Sequence, residues 1–186
     1  MSANKTDKDE QILLLLRQEA HFDRGFRLLM STYQERLYWH IRRMVDSHAD
    51  ADDVLQNTLI KIYKGILRFE GKSALFTWLY RIATNESLSF LQSKKRRQAS
   101  ALDDPDSNIS SNLTADSWFD GDAAQEKLQH AIAALPEKQR AVFTMRYFEE
   151  MPYHEMAEIM ETSVGALKAS FHHASKKIER FFQESN

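Results

Sequence analysis

Residues 69–97 read FEGKSALFTWLYRIATNESLSFLQSKKRR. The stretch opens as a short loop around Gly71, continues as a helix dense in aromatic residues, and ends in four consecutive cations, Lys94 to Arg97. At about 100° per residue, Leu75, Phe76, Leu79, Ile82, Ala83 and Phe90 gather on one side, a face able to pack on a core. Thr77, Trp78, Arg81, Thr84, Asn85 and Ser89 gather on the other, and Glu86 interrupts the apolar arc. A face of indole, guanidinium and amide groups that ends in a basic run suits a nucleic acid, with bases to stack and phosphates to neutralise.

Composition supports a helical chain. Of 186 residues 42% are hydrophobic, enough to build a core, whereas 5 Gly and 3 Pro are too few for a turn-rich β protein. Without cysteine there is no disulfide framework and no cysteine-based zinc site. The longest apolar run, Ile12 to Leu16, falls far short of the ~20 residues that span a bilayer, and MSANKTDKDEQ lacks the order of a signal peptide. The expectation is a soluble, cytoplasmic protein without membrane insertion.

The net charge of −2 conceals a segregation. Residues 20–97 hold 14 basic and 8 acidic side chains, residues 98–122 hold 6 acidic and no basic ones, and residues 123–186 hold 8 basic and 9 acidic. That order predicts an all-α chain of two small helical domains, residues 1–97 and 123–186, joined by an acidic flexible linker at 98–122. Within the linker Trp118 and Phe119 stand out as apolar exceptions.

Upstream of the quoted stretch, residues 10–20 and then Phe22, Phe26, Leu29, Met30, Tyr33, Leu37 and Ile41 keep helical spacing and read as core. Acid residues accumulate from Asp46 to Asp53, immediately before the apolar series Val54, Leu55, Leu59, Ile62 and Ile66. Carboxylates at a helix start can cap N–H groups and sit well in the helix dipole. That accounts for one or two of them and leaves Asp50, Asp52 and Asp53, with Gln56, open to a second reading as a docking surface.

Downstream, helices are expected at Ala123 to Ala134, Glu137 to Tyr147, Tyr153 to Met160 and Val164 to Phe182. Only Glu161, Thr162 and Ser163 separate the last two, the spacing of a helix-turn-helix, with Ser163 as N-cap. In the final helix Val164, Leu167, Phe171, Ala174 and Ile178 form a buried stripe. Gly165, Ala166, Lys168, Ala169, His172, His173 and Lys176 are left outward, small residues admitting close approach to a groove and longer ones reaching phosphates or base edges. A hairpin used only for packing is the alternative.

Together these stretches resemble the extracytoplasmic-function (ECF) class of bacterial RNA polymerase sigma factors over about residues 22–97 and 123–182. DADDVLQNTLIKIY is similar to the core-binding segment of sigma region 2. The stretch quoted first is similar to its promoter-melting, minus-10 segment. LPEKQRAVFTMRYFEEMPYHEMAEIMETSVGALKASFHHASKKI is similar to region 4, the minus-35 reader. The resemblance implies a non-enzymatic specificity subunit whose partners are core RNA polymerase and promoter DNA, duplex at minus-35 and single-stranded at minus-10. An anti-sigma factor, often membrane-bound, that wedges between the two domains is also implied. No cofactor or metal is expected.

The implied roles follow position by position. Asp50, Asp52, Asp53 and Gln56 dock on the clamp-helix coiled coil of the largest polymerase subunit. Phe69, Gly71, Lys72, Ser73 and Ala74 belong to a loop that receives a flipped base of the non-template strand. Asn85 touches the single strand, Arg81 lies on the same face, and Lys94, Lys95, Arg96 and Arg97 hold phosphates. The minus-35 set is Ser163, Gly165, Ala166, Lys168, Ala169, His172, His173 and Lys176. Trp78, at the border of the apolar arc, reads as a packing residue, and Arg81 has Glu70 or Glu86 as candidate partners.

The chain departs from the family pattern at Glu161, where the turn usually holds glycine, at Ser170, His173 and Ser175, where arginines are usual, and at Pro152, which replaces a serine cap. If the turn requires φ > 0, Glu161 carries a backbone cost of roughly 1 kcal/mol. Competing readings fit less of the chain. Another helix-turn-helix regulator, or an adaptor that binds proteins only, leaves the DADDVLQ and TWLYRIATN segments unexplained. For an HExxH metalloprotease, His154-Glu155 has Glu158 where the second histidine is required.

Overall fold

A computed structural model describes residues 3–102 and 123–184. All regular structure among them is helical: α1 (Ala3–Leu16), α2 (Phe22–Met44), α3 (His48–Gly65), α4 (Leu75–Leu102), α5 (Ala123–Ala133), α6 (Glu137–Tyr147), α7 (Tyr153–Met160) and α8 (Val164–Glu184). The periodic segment upstream resolves into two helices in series, joined by a single 3-10 turn at Glu19–His21. Helix α4 runs five residues beyond Arg97, into the segment expected as linker. The linker aromatics Trp118 and Phe119 lie outside the described residues.

The first four helices form one unit and the last four another. Gly25 lets α1 and α2 approach closely, because a Cβ there would lie 2.9 Å from both Leu15 Cβ and the Leu16 backbone nitrogen. The buried series on α2, Leu29, Tyr33, Leu37 and Ile41, meets Ala51, Val54 and Ile62 of α3 and Leu75, Leu79 and Ala83 of α4 in one core. That core continues into Ala141, Met145, Met156 and Ile159 of α6 and α7, so the two units share apolar surface. A second cluster, including Ile132, Leu135, Phe143, Ala174 and Ile178, ties α5 and α6 to α8.

Helix α4 is buried more widely than its apolar arc predicts. Thr77 and Thr84, expected on the outer face, are buried, while Ile82 and Phe90 are only half-buried. The reason is that α4 packs on α2 and α3 and is also covered by α7. Thr84 is satisfied there by a 2.9 Å hydrogen bond with His40 Nε2. A threonine so bonded costs little to bury. Val164, expected in the buried stripe of α8, is instead exposed at the helix start.

Candidate nucleic-acid interface

The loop between α3 and α4 is fixed at both ends. Phe69 N–H donates to Ile66 O at 3.1 Å, and Trp78 N–H donates to Ala74 O at 3.1 Å. Between them Gly71 takes φ 74, a left-handed conformation that glycine adopts without penalty. Lys72 pairs with Glu70, and both are exposed. Phe69 packs against Trp78 with ring centroids 5.3 Å apart, and the Trp78 ring also fills the space beside Gly65. Trp78 is therefore a packing residue. The loop's remaining side chains, Ser73 and Ala74 among them, reach the surface to varying degrees, Ser73 the least.

Along α4, Asn85 and the cations Lys95, Arg96 and Arg97 are exposed. Two expected members of the set are engaged within the chain. Arg81 pairs with neither Glu70 nor Glu86: its Nη2 donates to Glu158 O at 2.7 Å and its Nη1 lies 3.4 Å from Glu161 Oε1. Glu86 pairs with Lys61 instead. Lys94 Nζ reaches Asp50 at 2.7 Å and Asp46 at 3.4 Å. Burial opposes the Lys94 charge, but the hydrogen bond to Asp50 and the two carboxylates outweigh it and raise the ammonium pKa.

In the acidic segment the helix cap is Ser47, whose Oγ accepts from Asp50 N–H at 3.1 Å. No carboxylate is needed for that task, so the capping explanation of the acids does not hold. Asp52, Asp53 and Gln56 are exposed, whereas Asp50 is half-covered by Lys94.

The helix-turn-helix forms as its sequence dictates. Helix α7 closes with Thr162 N–H donating to Ala157 O at 3.2 Å, and Glu161 adopts φ 50, ψ 47. The left-handed position that favours glycine is thus filled by glutamate. Ser163 Oγ accepts from Ala166 N–H at 3.1 Å and starts α8. Leu167, Ala174 and Ile178 face the core, and Ser163, Gly165, Ala166, Lys168, Ala169, His172, His173 and Lys176 are all exposed. Lys168 lies 5.8 Å from the centre of the Tyr153 ring, an arrangement that steadies a cation at the start of the exposed face.

Sequence reasoning missed the contacts between the two units, which join residues about 80 to 110 positions apart and leave no periodic signal. His40, fully buried on α2, bonds Glu149 through Nδ1 at 2.7 Å. Arg140 Nη1 donates to Met44 O and Asp46 Oδ1, both at 2.9 Å, and its Nη2 donates to Ala133 O. Arg43 lies over the Phe148 ring at 5.2 Å. Among the described residues no group of three His, Asp or Glu is placed to hold a metal ion, and no helix is long and apolar enough to cross a membrane.

Residues 29–97 match the family described as Sigma-70 region 2, and residues 125–178 match Sigma-70, region 4. The chain is 31% identical to the RNA polymerase sigma-H factor of Pseudomonas aeruginosa over 95% of both chains. It is 32% identical to the ECF RNA polymerase sigma-E factor of Haemophilus influenzae over 86% of this chain and 88% of that one. Two solved structures share the fold. One is a complex of the sigma factor RpoE with the anti-sigma factor NepR from Bartonella quintana (TM-score 0.66, 22% identity, 85% of this chain and 96% of that one). The other is CnrH in complex with the cytosolic domain of CnrY (TM-score 0.69, 19% identity, 97% of this chain and all of that one).

Proposed function

The chain belongs to the ECF class of RNA polymerase sigma factors, non-enzymatic proteins of promoter-specific transcription initiation, and we propose that it reads and opens promoters with two separate helical surfaces. Residues 1–97 form the module that binds core polymerase and melts the minus-10 element. Residues 98–122 are the connector, and residues 123–186 form the module that reads the duplex minus-35 element. The site of action is the cytoplasm.

One observation carries this reading: all eight residues of the expected minus-35 set are exposed, Ser163 at the cap of α8 and the other seven along it, in front of a buried stripe that fixes the helix. Their small and basic side chains suit close approach to a major groove. For the minus-10 element, exposed Asn85 and Lys95 to Arg97 extend from the loop Phe69 to Ala74 along one helix. Flipping a base costs a few kcal/mol, and stacking returns about 1–3 kcal/mol. Capture in the loop therefore suffices to open a strand once polymerase contributes its own contacts. The exposed acids Asp52 and Asp53, with Asp50 and Gln56, are the docking surface for polymerase.

An anti-sigma partner fits the same architecture. Between the two units lies an open cleft of about 370 Å³ lined by residues that include Arg36, Trp39, Arg43, Glu149 and Glu155. A wedge-shaped protein element could occupy it. The deciding experiment for the main reading is in vitro transcription with reconstituted polymerase and start sites mapped genome-wide. A distinct promoter set is expected, and failure to bind core polymerase would sink the assignment.

A further inference from the structure

Four residues of the expected minus-35 set can carry positive charge: Lys168, His172, His173 and Lys176. The lysines are cations throughout the neutral range, but histidine changes its charge between about pH 5 and 8, so half of the charge this set can offer DNA depends on protons. The two rings are adjacent, with centroids 6.0 Å apart, and both are exposed. They stand within a row of lysines. Lys168 and Lys176 lie four residues to either side of His172, and Lys176 and Lys177 follow His173 by three and four, the spacings at which helical side chains meet.

No carboxylate offsets this row. Within four residues of either ring α8 has no Asp or Glu, and the first to follow, Glu179, lies six positions beyond His173. The helices packed on α8 direct their charges elsewhere. On α6, Arg140 holds Met44 O and Asp46, and Arg146 donates to Met151 O at 3.1 Å. On α7, Tyr153 lies beneath Lys168 and Glu155 lines the cleft between the units, while Glu161 in the turn reaches Arg81. On α5, Lys127 donates to Phe182 O at 3.3 Å. The other described titratable groups of these helices, His130, Glu137, Lys138, Tyr147, His154 and Glu158, make no hydrogen bond or ion pair with either histidine.

Protonation adds charge to a face that is already positive, and a phosphate brought to that face attracts the added charge. A group that holds its proton more tightly in a complex than in the free chain takes one up on binding, so acid must strengthen the complex by linkage. We propose that His172 and His173 are titratable phosphate contacts of α8, so that the chain's hold on duplex DNA tightens as the pH falls through the neutral range. This deepens the initiation reading and rests on it for the choice of α8 as the duplex-facing helix.

The test uses the full-length chain and a labelled mixed-sequence duplex of about 30 base pairs, because phosphate contacts carry no sequence information. At fixed salt, affinity should rise on the order of tenfold between about pH 8 and pH 6. The salt slope of binding should steepen over the same range by about 0.9 for each histidine that meets a phosphate. His172→Gln with His173→Gln should remove both pH effects. His172→Lys with His173→Lys should bind at pH 8 as tightly as the parent does at pH 6 and should show a flat profile. Both positions are exposed, and glutamine and lysine are better helix formers than histidine, so both variants retain the fold.

A parent chain that binds the duplex equally at both pH values overturns the proposal. So does a glutamine variant that keeps the pH dependence, which would place the titrating group elsewhere in the chain. A lysine variant that binds no tighter than the parent at pH 8 shows that these side chains do not reach phosphates, and overturns it as well. None of these measurements uses polymerase. A chain with the expected profile that fails to initiate transcription would overturn the functional reading and leave the titratable contact standing, whereas one that initiates with a flat profile would lose only this proposal.

Discussion

Lys94 Nζ donates to Asp50 Oδ2 at 2.7 Å, which joins the first cation of the expected phosphate-binding run to the first acid of the expected docking cluster. The two surfaces are therefore coupled at one ion pair, and the four cations are not equivalent. Lys95→Ala, Arg96→Ala and Arg97→Ala should each lower the salt slope of single-strand binding by about 0.7. Lys94→Ala should change that slope less and should weaken polymerase binding, because Asp50 loses the group that orients it. The folding cost of losing this partly exposed pair should stay within about 1 kcal/mol. Salt titrations of oligonucleotide binding, with a core-polymerase binding assay, distinguish the four variants.

Phe69 and Asn85 should separate in stability while agreeing in function. Phe69→Ala removes the ring that packs on Trp78 and should cost about 1 kcal/mol of folding free energy. Asn85→Ala, at an exposed position, should stay within about 0.5 kcal/mol of the parent. Both should impair promoter opening, read as permanganate reactivity of the minus-10 thymines, with core binding retained. Loss of core binding instead would identify the segment as structural.

Two glycines should respond oppositely to alanine. Gly25→Ala forces a Cβ to within 2.9 Å of the Leu16 backbone nitrogen, so α1 must shift, and overpacking of this kind costs about 1–3 kcal/mol. At Gly165 the nearest atom to a new Cβ is Ser163 Oγ at 3.9 Å. Helix propensity should then stabilise Gly165→Ala by up to about 1 kcal/mol. The same methyl group stands on the proposed groove-facing surface and should weaken minus-35 duplex binding. Denaturant unfolding and a duplex-binding assay would show gain in one and loss in the other.

Stability should fall on the alkaline side, where three groups held protonated by the fold lose their protons. Burial, the hydrogen bond to Asp9 and that carboxylate's charge hold the Tyr33 phenol well above its usual range. Burial and the charge of Glu149 do the same to Tyr80, against the opposing charge of Arg36. The Lys94 ammonium is likewise raised. For all three the folded state keeps the proton longer than the unfolded one, so their stabilisation is complete below about pH 10 and is lost above it. Thermal melts from pH 7 to 11 should show that one-sided decline, and Tyr33→Phe should reduce it. A stability that stays level up to pH 11 would contradict the assignment.

Local chemistry was the legible part of the chain. The helix-turn-helix is bounded by Ser163 and a three-residue turn, and the left-handed requirement at Glu161 follows from the turn itself. The buried side of α4 was only partly legible. Thr77 and Thr84 read as surface because polarity marks a residue for water, yet a hydroxyl with a partner such as His40 is stable in a core. The pairings of Arg81 with Glu161, Asp46 with Arg140 and His40 with Glu149 were not legible, since in each the partner lies in the other unit at a separation that no helical period encodes. The family resemblance located the candidate surfaces and said nothing about which of their charges are already paired.

The unbroken length of α4 has an electrostatic consequence. Its 28 residues make a rod of about 42 Å at ~1.5 Å per residue, with the loop proposed for base capture at one end. The exposed Arg96 and Arg97 stand toward the other end, about four Debye lengths from the loop at physiological ionic strength, where the screening length is ~8 Å. Their charges therefore exert almost no field on the loop. Salt would tune the hold of this basic run on phosphates without altering base capture at the far end.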